Sequence, residues 1–141
     1  MTNTYTSCPK CHTINRVDSD QAVLGKIPNC GKCQTALELH GLVSQVNTAD
    51  FQKILKHSDK PIIVDFWASW CGPCRMYGPE FEKASVQKKD AIFLKINTET
   101  EQQLSASLGI RGIPCTIVFQ NGKEIKRQSG AMSAQDVVRL I

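Results

Sequence analysis

The sequence lacks any long apolar run, and no stretch approaches the roughly 18 apolar residues of a membrane-spanning helix. Its polar N-terminus, residues 1–10, lacks the apolar segment and small-residue cleavage site of a secretory signal. Charges of both signs are scattered, and a net charge of +4 is too small to predict a nucleic-acid-binding face. We therefore expect a monomeric cytosolic protein with no membrane or nucleic-acid partner.

The first 35 or so residues also lack a sustained apolar period at either helix or strand spacing. Residues 18–20 and Gly25 are of types found in loops and turns. A hydrophobic core is therefore not expected to organise this segment. Something else must hold it together.

Cysteine supplies that alternative, because six of the seven cysteines form three Cys-x-x-Cys pairs. In a reducing compartment such pairs are usually metal ligands or redox couples. The first two pairs are separated by eighteen residues, a spacing typical of a structural site with four thiolates around one Zn²⁺. The predicted zinc ligands are Cys8, Cys11, Cys30 and Cys33.

Two other interpretations of these cysteines stay open. Cys8-x-x-Cys11-His12 also matches the attachment pattern of c-type haem, although this would require export and leave the second pair unexplained. The pairs could also form regulatory disulfides that alternate with zinc. The three histidines, His12, His40 and His57, are expected to be ordinary surface residues.

From Leu42 onward, strands and helices alternate. We predict strands at 42–46, 62–67, 92–96, 116–119 and 124–127, and helices at 49–56, 71–86, 101–108 and 134–140. Thr48, Thr100 and Ser133 are candidate helix caps, and Asn121-Gly122 predicts a hairpin turn. The order predicts an α/β layer fold with a mixed sheet. We divide the chain into a small zinc-ribbon-like domain at 1–40 and a larger domain at 41–141.

The third pair lies in Trp70-Cys71-Gly72-Pro73-Cys74, between a predicted buried strand and a helix. Free N–H groups and the helix dipole stabilise a thiolate at a helix N-terminus. We expect the more exposed Cys71 to attack a substrate disulfide and Cys74 to resolve the mixed disulfide. Half of a metal site, or an accidental spacing, is the alternative.

Three segments, Val64 to Ala68, Trp70 to Cys74 and Gly109 to Pro114, resemble in order and spacing the signature segments of the thioredoxin family. The resemblance covers roughly residues 42–141. It implies the thioredoxin fold and a disulfide reductase without a bound organic cofactor. It also implies two kinds of partner, disulfide-containing proteins and an NADPH-dependent thioredoxin reductase.

The resemblance also implies roles for two charged residues. Asp65 matches a buried carboxylate that helps to move the proton of the second cysteine, and Lys95 matches its lysine partner. Independently, an Asp within an apolar strand should have a raised pKa, which suits a general base. The alternatives are an edge position for Asp65 and an ordinary surface position for Lys95.

The Ile113-Pro114 segment resembles the family's cis-proline loop, which presents backbone to an extended substrate. The other residues expected to contact substrate are Trp70, Gly72, Pro73 and Gly130. Trp67 is expected to belong to the core. Cys115 departs from the family, which commonly has threonine there, and we expect a buried inert thiol rather than a third reactive one.

The N-terminal cysteines followed by this domain resemble a branch of the family that carries a zinc-binding extension. Two other functions remain possible from the sequence. One is a zinc-binding, redox-sensing adaptor that uses the larger domain as a peptide platform. The other is a zinc ribbon that binds nucleic acid.

Overall fold

The computed structural model describes residues 2–141, and its first elements form a small antiparallel sheet. Strand β1 (Asn3–Ser7) pairs with β2 (Ile14–Asp18), and helix α1 (Ser19–Val23) follows directly. The prediction of a loop at 18–20 is wrong, because the Asp18 side chain caps α1 by accepting the N–H groups of Asp20 and Gln21. The connection between the strands carries the first cysteine pair.

Strand β1 was missed because its buried side chains are largely polar. Thr4, Thr6 and Ser7 are buried in the structure. The Ser44 hydroxyl donates to Thr6 Oγ1 at 2.8 Å, and the Ser7 hydroxyl donates to the Asp50 carboxylate. Hydrogen bonding of this kind offsets the cost of burying polar groups, and apolar periodicity does not detect it.

The remaining chain forms a five-stranded sheet in the order β3-β5-β4-β6-β7. Strands β3, β5 and β4 are parallel to one another, whereas β6 pairs antiparallel with both β4 and β7. This confirms the predicted mixed sheet and the predicted order of elements. The strands are β3 (Val43–Gln45), β4 (Ile62–Trp67), β5 (Ile92–Asn97), β6 (Cys115–Gln120) and β7 (Lys123–Ser129). The helices are α2 (Thr48–His57), α3 (Gly72–Gln87), α4 (Gln102–Ser107) and α5 (Ala134–Arg139).

Strand β4 is buried on both faces, which fixes the point where it ends. Ile62, Val64 and Phe66 pack into one apolar cluster, which includes α2 residues. Ile63 packs into the opposite cluster with Tyr77 and Phe81 of α3. A strand held from both sides has little freedom to shift along its axis. The chain therefore leaves the sheet at a defined position, four residues before Cys71.

Two predicted helix caps are wrong and one is confirmed. Ser133 caps α5 through the N–H of Asp136, as predicted. At α2 the cap is Asn47, while the Thr48 N–H and hydroxyl both donate to a carboxylate oxygen of Glu101. The N-cap position of α4 is Glu101 rather than Thr100, and Glu101 makes no side-chain capping bond within residues 2–141.

The hairpin between β6 and β7 forms at the predicted turn. Asn121 has φ 52° and Gly122 has φ 80°, the pair of positive values that a type I′ turn requires. Strand β7 is exposed along its whole length. Its lysine and arginine side chains suit an edge strand, because charge discourages pairing with other chains.

The N-terminal segment packs directly against the larger sheet. Tyr5 and Ile14 pack on the apolar cluster that lies under α2, and Lys60 Nζ donates to the Asn3 carbonyl oxygen at 2.7 Å. The division of the chain at residues 40 and 41 stays a prediction. No helix within residues 2–141 is long and apolar enough to cross a membrane.

Gly41, at this junction, generates a prediction about packing. Its φ is +61°, and a Cβ there would lie 2.9 Å from the Glu82 carbonyl oxygen and 2.9 Å from Ser85 Oγ. Gly41→Ala should lower the free energy of unfolding by about 2–4 kcal/mol in urea titrations. Gly109→Ala is the matched control, since Gly109 has φ +68° but no heavy atom within 4 Å of the position that a Cβ would take. Gly109→Ala should lower the free energy of unfolding by only about 1 kcal/mol. Equal decreases for the two variants would contradict a close contact at Gly41.

Candidate active site and candidate metal site

The third cysteine pair sits where β4 leads into α3. Cys71 is the N-cap residue of α3, and the backbone N–H of Cys74 donates to Cys71 Sγ at 3.2 Å. The two sulfur atoms form a disulfide, with the Cα atoms 5.3 Å apart. Pro73 is tolerated because the first helical turn leaves its N–H positions unpaired. The sequence context predicted for a redox couple is therefore present.

The expectation that Cys71 is the more exposed cysteine is wrong for this disulfide form. Cys71 is 3% exposed and Cys74 is 5% exposed. The reason is local packing, because Cys71, Cys74 and Ala68 form a small cluster covered by Trp67 and Ile113. Any difference in role between the two cysteines must come from their positions on the helix.

The loop before β6 is brought against this pair. Cys71 Sγ lies 3.7 Å from the Ile113 carbonyl oxygen, and the Ile113–Pro114 peptide bond is cis. The N–H of Gly130 donates to the Pro114 carbonyl oxygen at 2.8 Å. Trp70 is 69% exposed beside the pair. Residues far apart in the sequence thus converge on one surface.

Asp65 lies beneath the pair and is buried. Its register partner on β5 is Lys95, and its Oδ1 has no hydrogen-bond partner within residues 2–141. Burial raises the pKa of the Asp65 carboxyl to about 7, although the positive charge of Lys95 opposes the rise. An edge position facing water does not describe Asp65. Asp65, Cys74 and Lys95 line one open cleft, together with Ser69, Arg75 and Gly78.

Trp67 and Cys115 flank this site in different ways. Trp67 is half-buried, and Lys95 Nζ lies 5.7 Å from the centre of its ring, within the range of a cation–π contact. Cys115 is 2% exposed within an apolar cluster, and burial raises the pKa of its thiol. A buried thiol with a raised pKa is a poor nucleophile at neutral pH.

Sequence reasoning missed a buried pair of hydroxyl groups next to Asp65. The hydroxyls of Tyr77 and Thr116 are hydrogen-bonded at 2.7 Å, and both side chains are fully buried. Thr116 is the register partner of Asp65 on β6. A polar residue at this position could be noticed in the sequence, but its partner is revealed only by the packing of α3.

The other four cysteines converge at the N-terminal sheet. The sulfur atoms of Cys8, Cys11, Cys30 and Cys33 all lie within 4.8 Å of one another. Two of the cross-pair distances are 3.5 and 3.7 Å, from Cys8 to Cys33 and from Cys11 to Cys30. Tetrahedral zinc with Zn–S bonds of about 2.3 Å requires sulfur atoms about 3.8 Å apart. The cluster therefore has the donor set and the dimensions to hold one zinc ion.

The two pairs have the same local structure. Each spans Cys-x-x-Cys-x-Thr, and the residue before each threonine, His12 or Gln34, has a positive φ. In each, the first cysteine N–H donates to the threonine carbonyl oxygen, at 2.9 and 2.8 Å. The second cysteine sulfur lies 3.2 Å from the threonine hydroxyl in both. Thr13 and Thr35 were missed, although the six-residue repeat is visible in the sequence.

Hydrogen-bond donors around Cys30 and Cys33 favour thiolates, whereas at Cys8 the effect of the Cys11 N–H is outweighed by burial and the neighbouring sulfurs, which raise the pKa of its thiol. The N–H of Cys33 and the amide of Asn15 are the main groups that lower the pKa of Cys30, to about 6. The hydroxyl and N–H of Thr35 lower the pKa of Cys33. Thiolates are the form that binds metal. The donor chemistry therefore fits zinc as well as the geometry does.

One histidine differs from the surface role expected for it. His12, His40 and His57 are all exposed. His12, however, follows Cys11 directly, and its Nδ1 lies 3.4 Å from Oδ2 of the buried Asp50 on α2. This contact links the first cysteine pair to α2.

Comparison with known proteins decides the family. The sequence profile described as thioredoxin matches residues 42–141. The chain belongs to the thioredoxin family. Thioredoxin C-3 of Corynebacterium nephridii is 37% identical over 126 residues, which cover 89% of this chain and 84% of that protein. Because 126 residues exceed the length of 42–141, this similarity also includes part of the N-terminal segment.

Solved thioredoxin structures agree with this fold. The thioredoxin of Malassezia sympodialis has 33% identity and a TM-score of 0.64, covering 70% of this chain and 88% of that one. The short form of spinach chloroplast thioredoxin f has 32% identity and a TM-score of 0.65, covering 71% and 93%. The thioredoxin fold is confirmed, and the chain is a thiol–disulfide oxidoreductase.

The buried carboxyl of this thioredoxin generates a prediction about stability. Asp65 binds a proton more tightly in the folded state than in the unfolded state, because its pKa rises from 3.8 to about 7. Stability should therefore fall as the pH rises from about 4 to 7 and remain lowered above that range. Asp65→Asn should raise the free energy of unfolding at pH 8 by about 2–4 kcal/mol, as three pKa units imply.

The same variant should gain little at pH 4, because Asp65 is protonated in the folded state and only about half ionised in the unfolded state, so folding costs little at this pH. Urea titrations at the two pH values provide the measurement. Asp90→Asn, at an exposed position, is the control and should change stability little at either pH. If Asp65→Asn raised the free energy of unfolding equally at pH 4 and pH 8, ionisation of Asp65 would not be the cause of the increase.

The cysteine cluster generates a second prediction. Protein purified under reducing conditions should contain about one zinc per chain by elemental analysis. Cys8→Ser or Cys30→Ser should abolish tight zinc binding, because each removes one of four thiolates. Cys71→Ser is the matched control and should keep its zinc. Loss of zinc in Cys71→Ser, or its retention in both N-terminal variants, would rule out this division of the cysteines.

Proposed function

We propose that this protein is a protein-disulfide reductase that works through Cys71 and Cys74. One observation carries the proposal: the two sulfurs are bonded at the N-terminus of α3, beside the Ile113 carbonyl oxygen. A helix N-terminus stabilises the thiolate that attacks a disulfide. The neighbouring backbone offers a place for an extended substrate segment.

In the first step, the Cys71 thiolate attacks one sulfur of the substrate disulfide. The bond between Cys71 and that sulfur forms, the substrate S–S bond breaks, and the second substrate sulfur leaves as a thiolate that takes up a proton. In the second step, Cys74 loses its proton and attacks Cys71 Sγ. The mixed disulfide breaks, the Cys71–Cys74 bond forms, and the substrate has gained two electrons.

Asp65 is the proposed acceptor of the Cys74 proton. A pKa of about 7 lets the carboxyl exchange protons at neutral pH, where an ordinary Asp would stay ionised. Cys74 and Asp65 line the same cleft, which supports transfer between them directly or through one water molecule. Lys95, which lines this cleft too, is the proposed counter-charge to the ionised carboxylate.

The proposed substrate surface surrounds the disulfide. Trp70 and Met76 are large apolar side chains that are 69% and 76% exposed. We propose that they bind apolar side chains of the substrate while the backbone at Ile113 pairs with an extended segment. Besides Met76, the proposed substrate-contacting residues are Trp70, Gly72, Pro73, Ile113, Pro114 and Gly130.

The N-terminal cysteines are proposed to hold one structural zinc ion, with 1–40 as the zinc domain and 41–141 as the thioredoxin domain. This arrangement resembles the thioredoxin 2 branch of bacteria. Four thiolates close the coordination shell, so the site would stabilise structure without taking part in the redox cycle. We propose a monomer in the reducing cytosol, recharged by an NADPH-dependent thioredoxin reductase.

Trapping of the mixed disulfide tests this function. Wild-type protein, with NADPH and a thioredoxin reductase, should reduce insulin disulfides. Cys74→Ser should accumulate a covalent complex with substrate through Cys71, because the resolving thiol is missing. Cys71→Ser should form no such complex, and both variants should lose more than about 99% of turnover.

Cys115→Ser is the matched control and should keep turnover close to that of the wild type, since Cys115 is buried away from solvent. A protein that functions as an adaptor would retain its biological activity when both Cys71 and Cys74 are serine. If this double variant loses its biological activity as well as its reductase turnover, an adaptor role is excluded as the main function.

A further inference from the structure

Three polar residues form a row across the central strands of the sheet. Asp65 on β4 is the register partner of Lys95 on β5 and of Thr116 on β6. They lie on the face covered by α3, because their neighbours two positions away, Ile63, Phe93 and Val118, pack against α3 residues. Asp65 therefore has a cation on one side and a hydroxyl on the other.

The hydroxyl side of the row is extended by α3. Tyr77 lies three residues after Cys74 on that helix, and its hydroxyl is 2.7 Å from Thr116 Oγ1. Both side chains have no exposed surface. Polar groups this deeply buried are costly unless their hydrogen-bonding capacity is used.

The Tyr77–Thr116 pair has one hydroxyl hydrogen that the bond between the two residues does not use. Each hydroxyl carries one hydrogen, and the bond between the two oxygens uses only one of them. The second hydrogen is free to point elsewhere. Side chains of directly paired residues on adjacent strands have Cβ atoms about 5 Å apart. Asp65 is thus the nearest anionic group to Thr116 in the sheet, and its buried Oδ1 lacks a hydrogen-bond partner within residues 2–141.

We propose that the Tyr77–Thr116 hydroxyl pair is a positioning device that offers a hydrogen bond to Asp65 when its carboxylate is ionised. Tyr77 donates to Thr116 Oγ1, so the Thr116 hydrogen turns towards Asp65 as the carboxylate gains its charge. The pair thereby determines how readily Asp65 releases the proton taken from Cys74. This inference rests on the proposed reductase function and deepens it.

Other groups also face Asp65 and must be separated from this effect. Lys95 approaches from β5, while Cys74, Arg75 and Tyr77 belong to α3. Lys95 favours the ionised carboxylate through its charge. The hydroxyl pair carries no charge at neutral pH. Its effect on the ionisation of Asp65 should therefore persist at high salt and disappear when one of the hydroxyl oxygens is removed.

The test measures the titration of Asp65 directly. The reduced full-length protein, labelled with ¹³C at the Asp carboxyl carbon, is titrated by NMR, and Asp65→Asn assigns the resonance. Thr116→Val should move the Asp65 midpoint upward by about one pH unit, the size of one hydrogen bond to a charged group. Tyr77→Phe should give a smaller upward shift, because Thr116 keeps its own hydrogen.

The double variant Tyr77→Phe, Thr116→Val shows whether Tyr77 acts on Asp65 through Thr116 or independently of it. If Tyr77 acts through Thr116, Tyr77→Phe should add nothing to Thr116→Val. Thr116→Ser, which keeps the hydroxyl, should titrate like the wild type. Thr4→Val and Tyr5→Phe are matched controls outside this row, and the Asp65 midpoint should stay unchanged in both. The pH at which single-turnover resolution of the mixed disulfide is half-maximal should move with the Asp65 midpoint.

An unchanged Asp65 midpoint in both Thr116→Val and Tyr77→Phe would overturn the proposal, even if both variants lose stability. If Thr116→Val does not fold, an unchanged midpoint in Tyr77→Phe is sufficient to overturn it. The titration needs no turnover, so the two proposals fail separately. A wild-type protein that reduces no disulfide would refute the reductase function, whereas a shifted midpoint would still support the action of the hydroxyl pair on Asp65.

Discussion

The hydrogen bond from the Cys74 N–H to Cys71 Sγ is the interaction around which the site is arranged. It exists because Cys71 occupies the N-cap of α3, where backbone N–H groups have no helical acceptor. That position follows in turn from β4, which is buried on both faces and cannot slide. Asp65 near the end of β4 and the loop at Pro114 are then brought to the same place by strand pairing. The chemistry at the sulfur atoms thus depends on the register of the sheet.

The three Cys-x-x-Cys pairs form two different arrangements of sulfur atoms because their local backbones differ. Cys71 and Cys74 lie on a helical turn, where two sulfurs face each other and bond. In the N-terminal pairs, a residue with positive φ follows the second cysteine and folds the chain back. Their sulfurs point at the sulfurs of the other pair instead, leaving a space of the size that zinc needs. Spacing alone does not separate these outcomes.

The sequence predicts the parts of this protein that depend on local pattern. The apolar run at 62–67, the Asn121-Gly122 turn and the Ser133 cap all agree with the structure. Strand β1 and the Tyr77–Thr116 pair were missed, because each depends on hydrogen bonds to residues distant in the sequence. The cap at Asn47 was missed because the N–H and hydroxyl of Thr48 donate to Glu101, a residue far along the chain. Local sequence patterns predict strands, helices and turns, whereas polar contacts between distant residues can be identified only once the fold is known.

Selective alkylation tests whether the local backbone gives the cysteines different roles. The reduced, zinc-loaded protein is treated with limiting iodoacetamide at neutral pH, and the modified cysteines are mapped by mass spectrometry. Cys71 should react first, Cys74 and Cys115 should react slowly, and the four N-terminal cysteines should react only after zinc is chelated. Alkylation of Cys74 before Cys71, or of the N-terminal cysteines as fast as Cys71 with zinc in place, would rule out these separate roles.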